Sequence, residues 1–247
     1  MLNPFLAHGW ASSPERLAIA AAVTLGFAVL ARALRGVNRS GTLAGGLACF
    51  LLFAGAGPPA FATLTALFLL TWVSTRVGYR RKLALGLAEQ REGRNARQIL
   101  ANLAVAALGS VVFSATGNRL WLLAGLAALA EAATDTVASE IGQYCGRDAR
   151  LITTWERVPA GADGGITFPG SIAGLAAGLV IAAVAALGGM LLPSQLWLPV
   201  AAGFAGMLID SLLGATLQSR GWISNQEVNL SSTLAAAAMA YGIAILT

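Results

Sequence analysis

The chain has 247 residues, 57% of them hydrophobic and 11% charged, about half the ordinary charged share, with a net charge of +5. That balance excludes an ordinary soluble domain and places the chain among integral membrane proteins. His8 is the only histidine, which argues against a histidine base or a histidine-rich metal centre, and two isolated thiols, Cys49 and Cys145, suggest neither a disulfide framework nor a zinc site.

Eight apolar segments are predicted in chain order, near 16–34, 42–57, 60–75, 98–116, 119–139, 169–190, 197–217 and 230–246. They imply an all-α, polytopic transmembrane bundle of six to eight membrane segments, forming one integral-membrane domain over residues 1–247. The N-terminal stretch lacks the basic region and cleavage site of a signal peptide, so the first segment is expected to be retained. Several segments fall short of the ~20 residues of an upright span. The 42–57 segment, ended by Pro58-Pro59, is open to a re-entrant or a spanning reading.

Alternate threading puts Arg32, Arg35, Arg39, Arg76, Arg80, Arg81, Lys82, Arg91, Arg94, Arg97, Arg147, Arg150, Arg157 and Arg220 on one side and only Arg16 and Arg119 on the other. Positive charge gathers on the cytoplasmic face. The expectation is a multi-pass protein of a cell membrane, of bacterial inner-membrane type, with both termini outside. The longer polar loops (35–41, 76–97, 140–168 and 218–229) then lie in the cytoplasm, and the outer connections are minimal. The 76–97 loop, with seven basic residues, reads mainly as an interfacial helix snorkelling toward anionic headgroups.

A weak echo links NRSGTLA (38–44) to NLSSTLA (229–235), and PGSIAG (169–174) to SGTLAG (40–45). Asp135-Thr136 and Asp210-Ser211 form a further pair. An internal repeat is one reading, with a site at the repeat interface; chance similarity of alanine-rich helices is the other.

The two aspartates carry the functional signal. A carboxylate inside a membrane helix costs roughly 2.5–3.5 kcal/mol on insertion scales unless a partner or water receives it. Glu131, Asp135 and Ser139 share one helix face, and Gly203, Gly206, Asp210 and Gly214 share another that leads to Gln218. Small residues at that spacing let backbones approach, so Asp210 is expected to face a packed bundle. Each acid could merely satisfy a neighbouring helix; two near one membrane face favour a shared site.

The following loop holds Arg147, Arg150 and Arg157, the carboxylates Asp148, Glu156 and Asp163, and a turn at Gly161, Gly164 and Gly165 that leads into a helix near Pro169. Turn N–H groups backed by a helix N-terminus suit an anion, and arginines suit phosphate. The P-loop ending is absent, and a solvated connector is the plainer alternative. Asn38, Arg39 and Ser40 precede an apolar segment and could cap it, which would explain Ser40 though not Arg39.

At these residues the chain resembles the integral-membrane family of unassigned domains that includes transmembrane protein 19 and the plant phytyl-phosphate kinases. The matching stretches are RSGTLAG (39–45), GRNARQILAN (93–102), TDTVASEIG (134–142), RLITTWERVPAGADGGITFPGS (150–171), DSLLGATLQ (210–218) and VNLSSTLAA (228–236). The chain departs from the family pattern at Thr134, where glycine is usual, and at Ala162-Asp163, where Thr-Asn is common, which weakens a metal role for Asp163.

The resemblance implies a prenyl (phytyl- or geranylgeranyl-type) monophosphate kinase using a nucleoside triphosphate, with CTP favoured by related polyprenol kinases. On that reading Asp135 and Asp210 bind Mg²⁺, with Glu140 beside them. Arg157 joins the two aspartates in catalysis. Asn38, Arg39, Ser40, Arg147, Arg150, Gly164, Gly165, Ser171 and Asn229 hold phosphates. The partners are a prenyl phosphate or membrane lipid and a nucleotide, not nucleic acid; the oligomeric state stays open. A cation- or proton-coupled transporter or flippase, and a passive scaffold, are the competing classes.

Overall fold

A computed structural model describes residues 13–89, 91–146 and 148–246. The fold is helical: α1 (Pro14–Ala33), α2 (Arg39–Arg76), α3 (Tyr79–Ala84), α4 (Ala96–Thr116), α5 (Arg119–Cys145), α6 (Phe168–Leu187), α7 (Trp197–Leu213) and α8 (Asn225–Leu246). A short antiparallel pair, β1 (Arg150–Leu151) with β2 (Gly165–Ile166), ties down the α5–α6 loop. All the helices but α3 are long and apolar enough to cross a membrane, α7 as part of the continuous stretch Pro193–Gln218.

Helix α2 settles the 42–57 segment. Gly57 has φ 75° and ψ −165°, directly before Pro58 and Pro59. Only glycine adopts such a conformation at little cost, and the prolines cannot continue the preceding ladder. The chain reverses there. Phe53 and Phe61, on either side of the turn, bring their rings to 5.4 Å, while near its far end Trp72 Nε1 donates to Leu34 O at 3.1 Å. Two arms of 18–19 residues, each roughly 27–29 Å long at 1.5 Å per residue, therefore run side by side. Their tip reaches the C-terminal end of α6, where a Cβ on Gly188 would meet Pro59 at 2.7 Å. The segment runs the full height of the bundle.

Central to the bundle is α5, the most enclosed span, packed by α2, α4, α6, α7 and α8. Glycines on its neighbours permit this: Gly109 of α4 lies where a Cβ would meet Trp121 O at 2.8 Å, and Gly203 of α7 where one would meet Glu131 N at 2.9 Å. Without a hydrophobic drive inside lipid, such close backbone packing holds helices together. By contrast α1 packs on α2 and on no other helix to comparable extent.

All the long loops gather at one end, called here the loop face. The 76–97 stretch differs from expectation. It forms only the six-residue α3, and Lys82, read as one of the headgroup-seeking cations, points inward with its side chain 0% exposed and pairs with Glu140. The echoed stretches open α2 and α6 on the loop face, whereas NLSSTLA begins four residues inside α8.

Candidate functional site

Two polar cavities meet at the loop face of α5, one of about 140 Å³ and one of about 310 Å³. Asp135, Ser139, Gln143, Asp210 and Asn225 line both. The two aspartates, one from α5 and one from α7, therefore face a common space and lie within electrostatic reach of each other.

Local packing explains how α7 delivers its acid. A Cβ on Gly206 would meet Glu131 Cγ at 2.6 Å and Ala236 Cβ at 3.1 Å, so α7 is pressed against α5 and α8 along the glycine face. Four residues on, Asp210 Oδ2 accepts a hydrogen bond from Ser232 Oγ of α8 at 3.3 Å. Beyond Asp210 the helix widens into a π-helical turn, Gly214–Gln218, a feature frequent at functional sites. Gln218 Nε2 donates to Asp163 Oδ1 at 2.8 Å, and Gly164, at φ 75°, sits where a Cβ would lie 2.5 Å from Ala215 N. The glycine turn thus closes over the end of α7.

Three helix N-termini surround the acids. From α4 come Gln98 and Asn102, from α8 Asn225, Gln226 and Asn229, all lining the larger cavity; Thr167 and Ser171 at the start of α6 line the smaller one. Asn229 Nδ2 donates to Asn102 Oδ1 at 3.3 Å, which ties α8 to α4. Side-chain caps take part of the first-turn N–H groups, from Asn95 and Ser40 at α4, Thr167 at α6 and Ser224 at α8, so what the ring offers an anion beside the carboxylates is chiefly its positive dipole ends.

Arg94 is the basic residue lining the larger cavity, within electrostatic reach of Asp135. Its backbone is clamped: Arg94 N donates to Gly36 O at 3.1 Å, and Arg94 O accepts from Asn38 N at 3.0 Å. Gly93, at φ 84°, and Gly41 leave no room for a Cβ against this crossing.

Most of the sequence-predicted residues can now be placed. Asp135, Asp210, Gly164, Gly165 and Ser171 line the smaller cavity, and Asn229 and Glu140 the larger. Glu140 is already engaged: Oε1 accepts from Thr75 Oγ1 at 3.0 Å and Oε2 pairs with Lys82 Nζ. Arg150 and Arg157 are turned outward by the hairpin. Arg150 donates to Trp155 O at 2.8 Å, and Arg157 meets Asp148 at 3.3 Å with side chains 73% and 70% exposed; neither lines the acid cavities.

Asn38, rather than Ser40, caps α2, accepting from Gly41 N at 2.9 Å. Ser40 Oγ instead accepts from Ala96 N at 3.3 Å and so links the starts of α2 and α4. Arg39 is exposed beside them. Arg147 and His8 lie outside the described residues.

Sequence reasoning passes over Arg94, Gln98, Asn102, Gln143 and Asn225. The available signal was spacing: Gln98 and Asn102, like Asn225 and Asn229, stand four apart at a helix start and so share a face.

The donors that face the acids are oxygens: two aspartates, the Ser139 hydroxyl and the Gln143 amide. Two buried oxygens, Glu131 Oε1 and Gln143 Oε1, have no hydrogen-bond partner among the described residues. They stand one turn below and two turns above Asp135. No cluster of three His, Cys, Asp or Glu side chains preformed for a metal occurs among the described residues. This set fits Mg²⁺, which takes one or two carboxylates and completes its shell with water and substrate phosphate.

The integral membrane protein DUF92 family profile matches residues 22–239. Among relatives, an uncharacterized membrane protein of Synechocystis (sll0875) is 33% identical over 198 residues, covering 78% of this chain and 77% of its own. An uncharacterized membrane protein of Methanocaldococcus jannaschii (MJ0933) is 31% identical over 223 residues, covering 89% and 90%. Protein VTE6, chloroplastic, of Arabidopsis thaliana is 30% identical over 208 residues, covering 79% of this chain and 61% of that protein. No solved structure matches. The chain belongs to the integral membrane protein DUF92 family.

Proposed function

We propose that the protein is a prenyl-monophosphate kinase that moves the terminal phosphoryl group of a nucleoside triphosphate, CTP by the family resemblance, onto a lipid monophosphate at the loop face. The observation that carries this reading is the meeting of Asp135 and Asp210 in one polar space ringed by three helix N-termini. The resemblance to phytyl-phosphate kinases supplies the substrate class. The crowding of arginine on the loop face supports a cytoplasmic location for it.

Phosphoryl transfer asks a protein chiefly for positioning and charge neutralisation. An oxygen of the acceptor phosphate attacks the γ-phosphorus, the bond to the nucleoside diphosphate breaks, and a P–O–P anhydride remains. The acceptor is already ionised, so no general base is needed, in keeping with cavities that no histidine lines among the described residues. Mg²⁺, when bound, would neutralise charge on the donor phosphates. Asp135 and Asp210 would hold it, with Gln143 and Ser139 beside them. The N-termini of α6 and α8 would orient donor phosphates, and Arg94 would meet the acceptor phosphate.

A transporter needs a polar route to the other face. Below Glu131, α5 is buried and apolar from Leu122 to Ala130, which supports a one-sided site. The test is incubation of purified protein with γ-labelled CTP or ATP and phytyl-, geranylgeranyl- or farnesyl-monophosphate, with and without Mg²⁺. Labelled prenyl diphosphate formed only with Mg²⁺ is expected. Nucleotide-independent counterflow in proteoliposomes without any transfer would overturn the proposal.

A further inference from the structure

A third cavity, of about 470 Å³, runs between α1, both arms of α2 and the start of α4. Its depth is apolar, with Phe27, Leu64, Leu67, Phe68 and Leu103 among its walls. Its loop-face mouth is lined by Arg35, Arg76, Arg91 and Arg94. Glu89, Arg94 and Asn102 line both this cleft and the larger acid cavity, so the two spaces adjoin at Arg94.

We infer that this cleft holds the single apolar chain of a lipid monophosphate, with its phosphate at the arginine mouth and its reacting oxygen directed past Arg94 toward Asp135 and Asp210. The assignment rests on the kinase reading for its turnover, though not for its binding. Charge complementarity commits the occupant: the mouth carries four arginines against one carboxylate, Glu89, which lies 3.9 Å from Arg94, and that excess of positive charge over an apolar slot matches an anionic head on an apolar tail. The volume lies in the lower half of the ~300–1,000 Å³ typical of single small-ligand pockets, which disfavours a two-chain phospholipid. Access from the bilayer is open in kind, because α1 packs on α2 and leaves its side toward α4 free of extensive helix contact.

Two glycines, Gly45 and Gly46, form part of the cleft wall. A Cβ on Gly45 would meet only Ile99 Cγ2, at 3.9 Å, and one on Gly46 only Ala28 Cβ, at 4.0 Å. Those glycines are not forced by close packing or by a left-handed backbone; they leave space. A large side chain at Gly45 would fill the slot without prising helices apart.

The test is equilibrium binding of radiolabelled geranylgeranyl monophosphate to purified protein in detergent with EDTA and no nucleotide. Wild type is expected to bind saturably. Gly45→Phe and Arg94→Gln should each weaken binding at least tenfold, Gly45→Phe at unchanged melting temperature. Geranylgeraniol and inorganic phosphate should each compete poorly. The inference is overturned if wild type shows no saturable binding, if both Gly45→Phe and Arg94→Gln bind like wild type, or if a two-chain anionic phospholipid displaces the probe equally well. Saturable, cleft-dependent binding without phosphoryl transfer would uphold the cleft and sink the kinase reading alone.

Discussion

Replacing Lys82 by methionine should destabilise the fold far more than a surface lysine would. The Lys82 ammonium donates to Ser74 O at 3.2 Å, to Thr75 O at 2.9 Å and to Glu140, with none of its side chain exposed. Ser74 and Thr75 lie in the last turn of α2, at the negative end of the helix dipole, where a cation is favoured. Removing one member of a buried ion pair costs about 3–5 kcal/mol, because the other charge is left uncompensated. At roughly 2–4 °C per kcal/mol for a chain of this size, Lys82→Met should lower the melting temperature in detergent by about 6–20 °C. Adding Glu140→Gln removes the stranded charge and keeps an oxygen for Thr75, so the double variant should recover about half the loss or more. A double-mutant cycle reads that coupling directly. Transfer activity adds a second readout. If Glu140 serves to anchor α3 and the end of α2, the folded double variant stays active. Coupling near zero, or a single variant melting with wild type, would refute the argument.

Other outcomes follow from the same packing. Gly206→Val should lose at least about 1–3 kcal/mol through overpacking, since even a Cβ there lies 2.6 Å from Glu131 Cγ; unfolding in detergent checks it. Arg157→Ala should leave stability within about 1 kcal/mol, as for exposed ion pairs, and transfer within a few-fold, because its side chain is 73% exposed and outside both acid cavities. Loss of transfer with normal melting would restore it to the site. Ser232→Ala removes the hydroxyl bonded to Asp210 at 3.3 Å; because Asp210 is only half-buried and faces cavities that water can enter, the loss should be that of one ordinary hydrogen bond, about 0.5–1.5 kcal/mol, readable in the same melts.

The fold was largely legible in the sequence because its signals are local. Apolar runs marked the spans, Pro58-Pro59 marked the reversal of α2, and the spacing of Gly203, Gly206 and Asp210 marked the face turned toward α5. What escaped depends on distant partners. Lys82 sits among six other basic residues in 76–97, and nothing nearby says that it turns inward to an acid 58 residues away. Arg94 is hidden in the same crowd, and its clamp needs Gly36, Asn38 and Gly41. Arg150 and Arg157 have the right chemistry for phosphate, but the pairing of Arg150 with Ile166 and Leu151 with Gly165 fixes a hairpin that turns both arginines to solvent. Asp135 and Asp210 could be found because an acid in an apolar helix needs a reason wherever the chain carries it.

The most direct measurement compares Mg²⁺-dependent transfer from γ-labelled nucleotide to geranylgeranyl monophosphate by wild type, Asp135→Asn and Asp210→Asn. The account predicts that each asparagine variant folds and melts normally yet slows transfer by a hundredfold or more, the scale of losing one charge-stabilising group. Wild-type rates in both variants would contradict it.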